Sequence, residues 1–557
     1  MNSIFNYSGF VMKFTIPEKY LLENKVKGKK LTHCVVALSA LAIFFFGYDQ
    51  GMMAGVNTSP DYVEKMKYGY FNENGDVTVT NSTRQGGIVA IYYFGTLVGC
   101  VFGGLFSDRH GRIKAIALGA LIAIFGAALQ CAAQQMSWMC GARFVNGIGT
   151  GILNAVVPVY SSETAEHTSR GAFIAIEFTL NIFGVCVAYW LEYGLSYIDS
   201  GFSAFQWRFP IAFQIIPLLV LLGIVWFFPE SPRWLVKNGE EDHAKRILLN
   251  MRGVERGNQE FAEIVGAMRF EQESALSSSY WRMFLGYFPD KDSKKSAKAK
   301  TLHIARRVQI VIWMQIFQEW VGIAGVTVYQ PEIFKQAGFG TRKSAWLSGV
   351  NNIFYCLSTL INFFTVDRFG RRFTLFWGAI GQGISMFLAG GFSKLQQKNP
   401  KNSSYGAAAA SFVFIYTSIF GATWLAVPWL YPTEIFPLKV RAQGNAFGVV
   451  GWSIGNGWLT LLCPIMFSKI GEKTLYIFGA CNFISLALVH LFCPETANRT
   501  LEDIDYLFAN DSWLASKSEA DFKRIKIEQV DKQVGREKQI IDIDSSEKEN
   551  FLTEHFE

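Results

Sequence analysis

A carboxyl stands in the apolar stretch FFFGYDQGMM, Phe44 to Met53, where Asp49 is flanked by aromatic, aliphatic and small residues. Inside a bilayer an ionisable side chain costs roughly 2.5–3.5 kcal/mol on insertion scales, so it persists where it does chemistry. The chemistry open to it is proton exchange. Burial disfavours a charged carboxylate and an adjacent guanidinium favours it, so a site that alternates between the two surroundings loads and releases a proton. The alternative is a static ion pair that pins two helices. A second set of charges recurs as acids paired with arginines: Asp108 with Arg109 and Arg112, Glu163 with Arg170, and Glu230 with Arg233. No phosphate-cradling loop, nucleophile motif or metal-ligand cluster is legible, which argues against an enzyme, a metal site or a cofactor. Nothing points to nucleic acid as a partner.

The elements that must hold these charges are membrane helices. Of 557 residues, 50% are hydrophobic and only 17% charged, a composition foreign to soluble globules. Apolar runs of about 20 residues, long enough to span a bilayer, recur about twelve times. Their centres lie near Ala42, Phe94, Ile122, Ile152, Phe183, Leu219, Met314, Phe354, Ile380, Ile415, Ile454 and Ile484. The first run, Cys34 to Val56, is too long for a cleavable signal and is read as its own insertion signal. The nine Cys lie in or beside these spans with no C-x-x-C spacing and are read as packing residues. Lys and Arg concentrate in the segments around Asp108 to Arg112, Pro229 to Arg307, Asp367 to Arg372 and the tail, which places those segments and both termini in the cytoplasm. The sequons at Asn57, Asn81 and Asn402 then face outward. The tail from Asn510 is charged and weakly periodic, and reads as disordered.

The chain repeats itself. Asp108-Arg109-His110-Gly111-Arg112 returns as Asp367-Arg368-Phe369-Gly370-Arg371, Tyr160-Ser161-Ser162-Glu163 as Tyr431-Pro432-Thr433-Glu434, and Pro229-Glu230-Ser231 as Pro494-Glu495-Thr496. Arg170 likewise returns as Arg441. The acids recur 259, 271 and 265 residues further on, in the same order. This predicts an all-α membrane protein of twelve helices in two six-helix halves. The expected division is a cytoplasmic N-terminal segment (1–30), one half (31–228), a helical cytoplasmic linker (229–305), the second half (306–493) and a cytoplasmic tail (494–557).

With Phe46-Gly47-Tyr48-Asp49 in the first span, both Asp-Arg-x-Gly-Arg loops, Gly141-Ala142-Arg143, Gln206-Trp207-Arg208, Pro229-Glu230-Ser231-Pro232-Arg233, Gln318 with Gly322-Ile323, and Pro494-Glu495-Thr496, the sequence resembles the sugar porters of the major facilitator superfamily, most of all fungal members. The resemblance runs from about Leu31 to Asp505. It implies a cytoplasmic gate built from Asp108, Arg112, Glu163, Arg170, Glu230 and Arg233 with Asp367, Arg371, Glu434, Arg441 and Glu495. It also implies proton coupling through Asp49 and Arg143, because the family's coupled members place an Asp and an Arg there.

For substrate, the resemblance implies contacts from Phe46, Gln318, Tyr329, Trp429, Trp452 and Asn456, Asn456 lying one residue beyond the family's usual Asn. The sequence departs from the family at Glu319, where a second glutamine is usual, at Ala324, and at Glu177-Phe178 in the fifth span. Glu319 and Glu177 add an acceptor or a second proton site, while Phe178 and Ala324 remove polar contacts. The implied function is proton-coupled symport of a monosaccharide, hexose or pentose, by alternating access at the plasma membrane, with a monomer as the working unit. A proton-coupled glycerol or polyol symporter and an uncoupled sugar facilitator are the alternatives. The partners are then a small neutral sugar or polyol, a proton and the lipid bilayer, with the basic run Lys291 to Lys300 a candidate contact for anionic lipid.

Overall fold

The computed structural model describes residues 21–71, 77–164, 170–198, 203–273, 279–286, 303–437, 440–497, 499, 501–510 and 512–527. Helix 1 is Lys29–Val56, helix 2 Ser82–His110, helix 3 Arg112–Cys131, helix 4 Met136–Thr164, helix 5 Arg170–Leu195 and helix 6 Phe205–Phe227. Helix 7 is Ile304–Gln336, helix 8 Thr341–Phe369, helix 9 Arg371–Lys398, helix 10 Ser403–Ile435, helix 11 Arg441–Ile470 and helix 12 Lys473–Phe492. All twelve expected centres fall inside these helices. A short hairpin, Gly69–Phe71 paired with Val77–Val79, sits in the loop after helix 1 and is the one departure from all-α among the described residues.

Eleven of the twelve are long and apolar enough to cross a membrane. Helix 8 spans as well, at 29 residues, but hides its polarity. Asn351, Asn352, Ser358, Thr359 and Asn362 are buried against neighbouring helices, while Phe354, Leu357, Ile361 and Phe364 are exposed on the outside. That inversion, polar inward and apolar outward, follows when lipid replaces water as the solvent.

Close packing depends on small residues. Gly95, Gly99 and Gly103 put one face of helix 2 directly against the backbone of helix 4, at Phe144, Ile148 and Ile152, the small-xxx-small arrangement of membrane helix pairs. Helix 2 packs on helix 11, and helix 5 on helix 8, across the boundary between the halves. Thr96 and Ser453 hydroxyls meet at 2.8 Å across the first pair, and Thr359 donates to Thr179 at 2.9 Å across the second.

The linker forms helices at Pro232–Lys237, Glu241–Arg252, Val254–Glu273 and Tyr280–Leu285. It braces one end of the first half: Arg252 donates to the Thr164 carbonyl at 2.7 Å and to the Thr32 hydroxyl at 3.2 Å, and His243 meets Glu23 at 3.2 Å. The Glu23 hydrogen bond raises the His243 pKa above its ordinary value. A histidine that holds its proton more tightly when folded stabilises fully below the unfolded value, about 6.5, and loses that contribution as pH rises through the raised one. Thermal melts in detergent should therefore fall as pH rises through that window. The His243→Gln variant should flatten the slope; an unchanged slope would remove His243 as its source.

Part of the tail is ordered, contrary to the disorder expected from its charge. Residues 515–527 are helical. Arg306 donates to the Trp513 carbonyl at 3.3 Å and the Ser518 hydroxyl at 3.0 Å, and Arg499 pairs with Glu519 at 2.6 Å. The tail thus supplies acceptors to arginines at the start of helix 7, a tertiary demand that composition does not reveal. Residues 528–557, and the basic run Lys291 to Lys300, lie outside the described residues. Asn57, read as an outward sequon, is buried at the end of helix 1 and is no acceptor for a glycan in this state. Asn81 and Asn402 instead cap helices 2 and 10, each accepting a backbone N–H.

Candidate functional site

The two halves enclose a cavity of about 370 Å³ of empty space, counting its open margin. Four helices contribute an aromatic box. Phe46 of helix 1 lies 6.3 Å from Trp429 of helix 10 and 5.2 Å from Trp452 of helix 11, ring centre to ring centre. Phe178 of helix 5 lies 5.2 Å from Trp429, and the two indoles are 5.9 Å apart. Flat faces with polar groups at their edges suit the apolar faces and hydroxyl rims of small polyhydroxylated solutes.

The polar edge comes from a break in helix 7. Gly322 has φ +117°, outside the helical range, and the turn Glu319–Ile323 is widened there. The break frees the Val321 carbonyl, which accepts from Tyr416 at 3.1 Å and Asn482 at 2.9 Å. A side chain at Gly322 would adopt an unfavourable backbone angle and meet the Phe478 ring at 2.9–3.0 Å. Gly322→Ala should therefore cost about 1–3 kcal/mol. It would read as a lower melting temperature in detergent; an unshifted melt would mean that the kink is not held by this residue.

Prolines decide where the neighbouring glutamines bond. A proline removes the N–H that its residue four positions back would have used. Pro428 leaves the Trp424 carbonyl open, and Gln318 donates to it at 2.9 Å and to the Leu425 carbonyl at 3.0 Å. Pro432 likewise leaves the Pro428 carbonyl open, and Gln315 donates to it at 2.9 Å. Pro331 frees the Thr327 carbonyl, and Tyr189 of helix 5 donates to it at 2.5 Å. Gln318 thus presents its carbonyl oxygen, buried and unpartnered, to the cavity, and Glu319 keeps one free oxygen there.

Of the residues named from sequence, Phe46, Phe178, Gln318, Glu319, Trp429 and Trp452 line the cavity together. Tyr329, Asn456 and Glu177 do not. Tyr329 sits beyond the kink with its hydroxyl on the Thr460 carbonyl at 3.0 Å. Asn456 bonds back to the Trp452 carbonyl at 3.2 Å and stands behind Glu319. Glu177 is buried one position along from Phe178. Sequence reading missed Gln50, Asn181, Thr327 and Tyr355 of the lining; Gln50, next to Asp49 in an apolar run, was the one with a visible signal.

Asp49 and Arg143 are both buried, yet among the described residues no ion pair joins them. Asp49 accepts from the Asn146 side chain at 3.2 Å, and Tyr92 faces the carboxyl without a hydrogen bond of ordinary geometry to its other oxygen. Arg143 lies 4.8 Å from the centre of the Tyr92 ring and reaches Gln130 at 3.4 Å. The expected direct pair is replaced by one in which Tyr92 lies between the two groups and Asn146 takes the near oxygen.

The repeated charges build two matching knots, one in each half. Arg112 donates through Nε and Nη2 to Glu163 at 2.9 Å each, and Glu163 also accepts from Ser231 at 2.7 Å. Arg371 donates to Glu434 at 3.2 and 2.6 Å, and Glu434 accepts from Thr496 at 2.7 Å. Glu230 accepts from the backbone N–H groups of Arg112 and Ile113, Glu495 from those of Arg371 and Arg372. Gly111 and Gly370, at φ +98° and +88°, make the turns that aim those N–H groups. Asp108 and Asp367 lie 4.0 and 2.9 Å from Arg112 and Arg371. Arg233 and Arg441 are buried at the same level; the Arg170 side chain lies outside what is described.

Each knot therefore ties helices of one half. Contacts between halves at this end are Gln443 to Asp108 at 3.2 Å and Asn445 to the Ala155 carbonyl at 3.1 Å, and the linker adds Tyr280 to the Val101 carbonyl at 3.3 Å. At the far end, Tyr189 to Thr327 and Ser82 to Ser468, at 3.4 Å, join the halves. These contacts join the halves on either side of the cavity. A larger groove between helices 7 and 12, lined by Trp313, Phe317 and Phe492, is apolar and faces outward, so it offers nothing to a polar solute.

Comparison with known proteins gives the same outline. The sequence model described as "Sugar (and other) transporter" matches residues 34–508. The sugar transporter STL1 of Saccharomyces cerevisiae is 32% identical over 86% of this chain and 82% of its own length. A quinate permease of Neurospora terricola is 27% identical over 85% of this chain and 88% of its own. The structure described as the proton:xylose symporter XylE bound to 6-bromo-6-deoxy-D-glucose superposes with a TM-score of 0.72 at 24% identity, covering 86% of this chain and all of that one.

Proposed function

Because the chain belongs to the sugar transporter family of the major facilitator superfamily, we propose that it is a proton-coupled symporter of a neutral monosaccharide, working by alternating access at the plasma membrane with both termini cytoplasmic. The observation that carries the reading is Asp49, a fully buried carboxyl with no ion-pair partner among the described residues, beside a cavity lined by both halves. The description of XylE as a proton:xylose symporter supports the same reading by analogy.

In the outward-open state, water reaches Asp49 and protonates it. The neutral acid no longer attracts Arg143, which rests on Tyr92 and Gln130 as seen here. Substrate hydroxyls bond Gln318 and Glu319 while the aromatic box covers the apolar face, and the halves close. Opening toward the cytoplasm parts the Gln443–Asp108 and Asn445–Ala155 contacts, solute and proton leave, and Arg143 regains the Asp49 carboxylate. The two charged knots keep each half rigid through this rocking.

The cavity lining carries Glu319 and, among the described residues, no lysine, arginine or histidine. That favours neutral solutes over carboxylated ones such as quinate, whose charge would meet a carboxyl with no cation to balance it. A second reading, a smaller polyol such as glycerol, rests on Phe178 and Ala324, apolar residues where the resemblance implies polar contacts to a hexose.

The test is solute-induced alkalinisation of unbuffered transporter-null yeast expressing the chain, with fructose, glucose, xylose, arabinose, glycerol and quinate. A pH rise with a sugar is the expected result; a rise with glycerol alone selects the polyol reading. A rise with quinate alone overturns the assignment to neutral solutes, and uptake with no pH change overturns symport in favour of a facilitator.

A further inference from the structure

Glu177 takes no part in the cavity, yet it is the one carboxyl of helix 5 lying between Asp49 and the linker end. It is fully buried, and neither of its oxygens finds a hydrogen-bond partner of ordinary geometry. The group facing it is the Ser161 hydroxyl of helix 4, itself buried and unpartnered. No charged side chain from the helices packed on it is among its described interactions. Among the described residues it has no ion-pair partner. It can change charge only by exchanging a proton.

Helices 1 and 5 run side by side, with Asn181 donating to the Ile43 carbonyl at 3.3 Å and packed on Gly47. Glu177 is one turn from Asn181 toward the linker end, and Asp49 lies about one turn beyond that level on the other side. On helix 4 the residues beside the two carboxyls, Asn146 and Ser161, are about 22 Å apart along the axis. Helix 4 runs past both. Its Asn146, Thr150, Asn154 and Ser161 fall within roughly 80° of one another around the helix at 100° per residue. Asn146 touches Asp49, Ser161 faces Glu177 one turn from the Thr164 end, and between them both polar atoms of the Asn154 side chain are buried without a partner. Buried polar groups left unsatisfied by protein are places for ordered water.

We propose that Glu177 is a second proton-carrying residue, which receives the proton from Asp49 along the helix 4 stripe and releases it past Ser161 to the cytoplasm. The inference rests on the symport reading above. The proton leaves the Asp49 carboxylic acid, which becomes a carboxylate, and passes along a file of waters past Thr150 and Asn154 to the Glu177 carboxylate. The Glu177 acid then gives it to water at the opened inner mouth, and no electron changes hands. Glu177 is here a proton carrier for the transport cycle and does not contact the solute.

The experiment measures alkalinisation of transporter-null yeast with glucose, xylose and glycerol as probes, for the unsubstituted chain and for Glu177→Gln, Glu177→Asp and Ser161→Ala. Counterflow exchange is measured on the same cells, and infrared titration of carboxyl bands on the purified full-length proteins. Glu177→Gln should slow alkalinisation by about tenfold or more, leave exchange intact and remove one titrating carboxyl band. Glu177→Asp should restore part of the rate. Should Glu177→Gln not fold, Ser161→Ala carries the test, with slowed alkalinisation, intact exchange and a shifted carboxyl band supporting the relay. Alkalinisation at the unsubstituted rate, with the infrared titration unchanged, overturns the relay and leaves symport standing. No alkalinisation by the unsubstituted chain with any probe overturns symport and the relay together.

Discussion

Asp49→Asn should abolish accumulation of solute against a gradient while counterflow exchange continues. A proton carrying one charge inward gains about 2.3 kcal/mol per 100 mV, which sustains roughly a 50-fold concentration ratio for a neutral solute. Asparagine keeps the size of the side chain and can still accept from Asn146, the contact that holds Asp49 at 3.2 Å, so the helices should pack as before. What is lost is the charge change alone. Radiolabelled uptake with and without an uncoupler reads this directly: the unsubstituted chain should lose its accumulation when the uncoupler is added, and the variant should have none to lose. Accumulation that survives the substitution would place the coupling elsewhere and make Asp49 a structural group.

Much of this site could be read from residue types, and the remainder shows where such reading stops. Asp49 was conspicuous because an acid in an apolar run has few reasons to be there, and the repeated Asp-Arg-x-Gly-Arg loops disclosed a six-helix unit written twice. Helix 8 was placed despite its asparagines, since Phe354 and its neighbours gave an apolar centre, but that the asparagines face inward is a consequence of packing against helices 5 and 10. The lining residues Asn181 and Thr327 carried no signal: each depends on a local backbone event. Asn181 packs where Gly47 lets helix 1 approach, and Thr327 is exposed to Tyr189 by Pro331 four residues later. Tyr329 illustrates the reverse error. It follows the kink, and the altered backbone turns its hydroxyl to helix 11 and away from the cavity.

The Asp49–Arg143 arrangement is instructive in the same way. Two opposite charges in one bundle suggest contact, yet the pair is separated by Tyr92 and Asn146. A guanidinium on an aromatic face retains a cation–π attraction when its carboxylate is neutral, so Tyr92 gives Arg143 a resting place in the half of the cycle that lacks the ion pair. The sequence places Tyr92 in an apolar span with nothing to mark it; only the packing of helix 2 on helix 4 does so.

The two charged knots look alike in sequence but should not respond alike. In the first half, the Arg112 and Glu163 side chains are 5% and 4% exposed. Glu163→Gln leaves a buried guanidinium whose nearest ion-pair partner is Asp108 at 4.0 Å, and breaking such a pair from one side costs about 3–5 kcal/mol. In the second half, Glu434 is 16% exposed and Arg371 keeps Asp367 at 2.9 Å. Glu434→Gln should therefore cost less, about 1–3 kcal/mol. Thermal unfolding of both variants in detergent should separate them, with the Glu163 variant melting lower and reaching the membrane in smaller amounts. The double change Arg112→Met with Glu163→Leu should recover part of the loss, because an apolar pair of similar volume removes the unpaired charge. Equal melting of the two single variants would mean that solvent and Asp367 do not relieve the second knot, and that both halves depend on their arginine to the same degree.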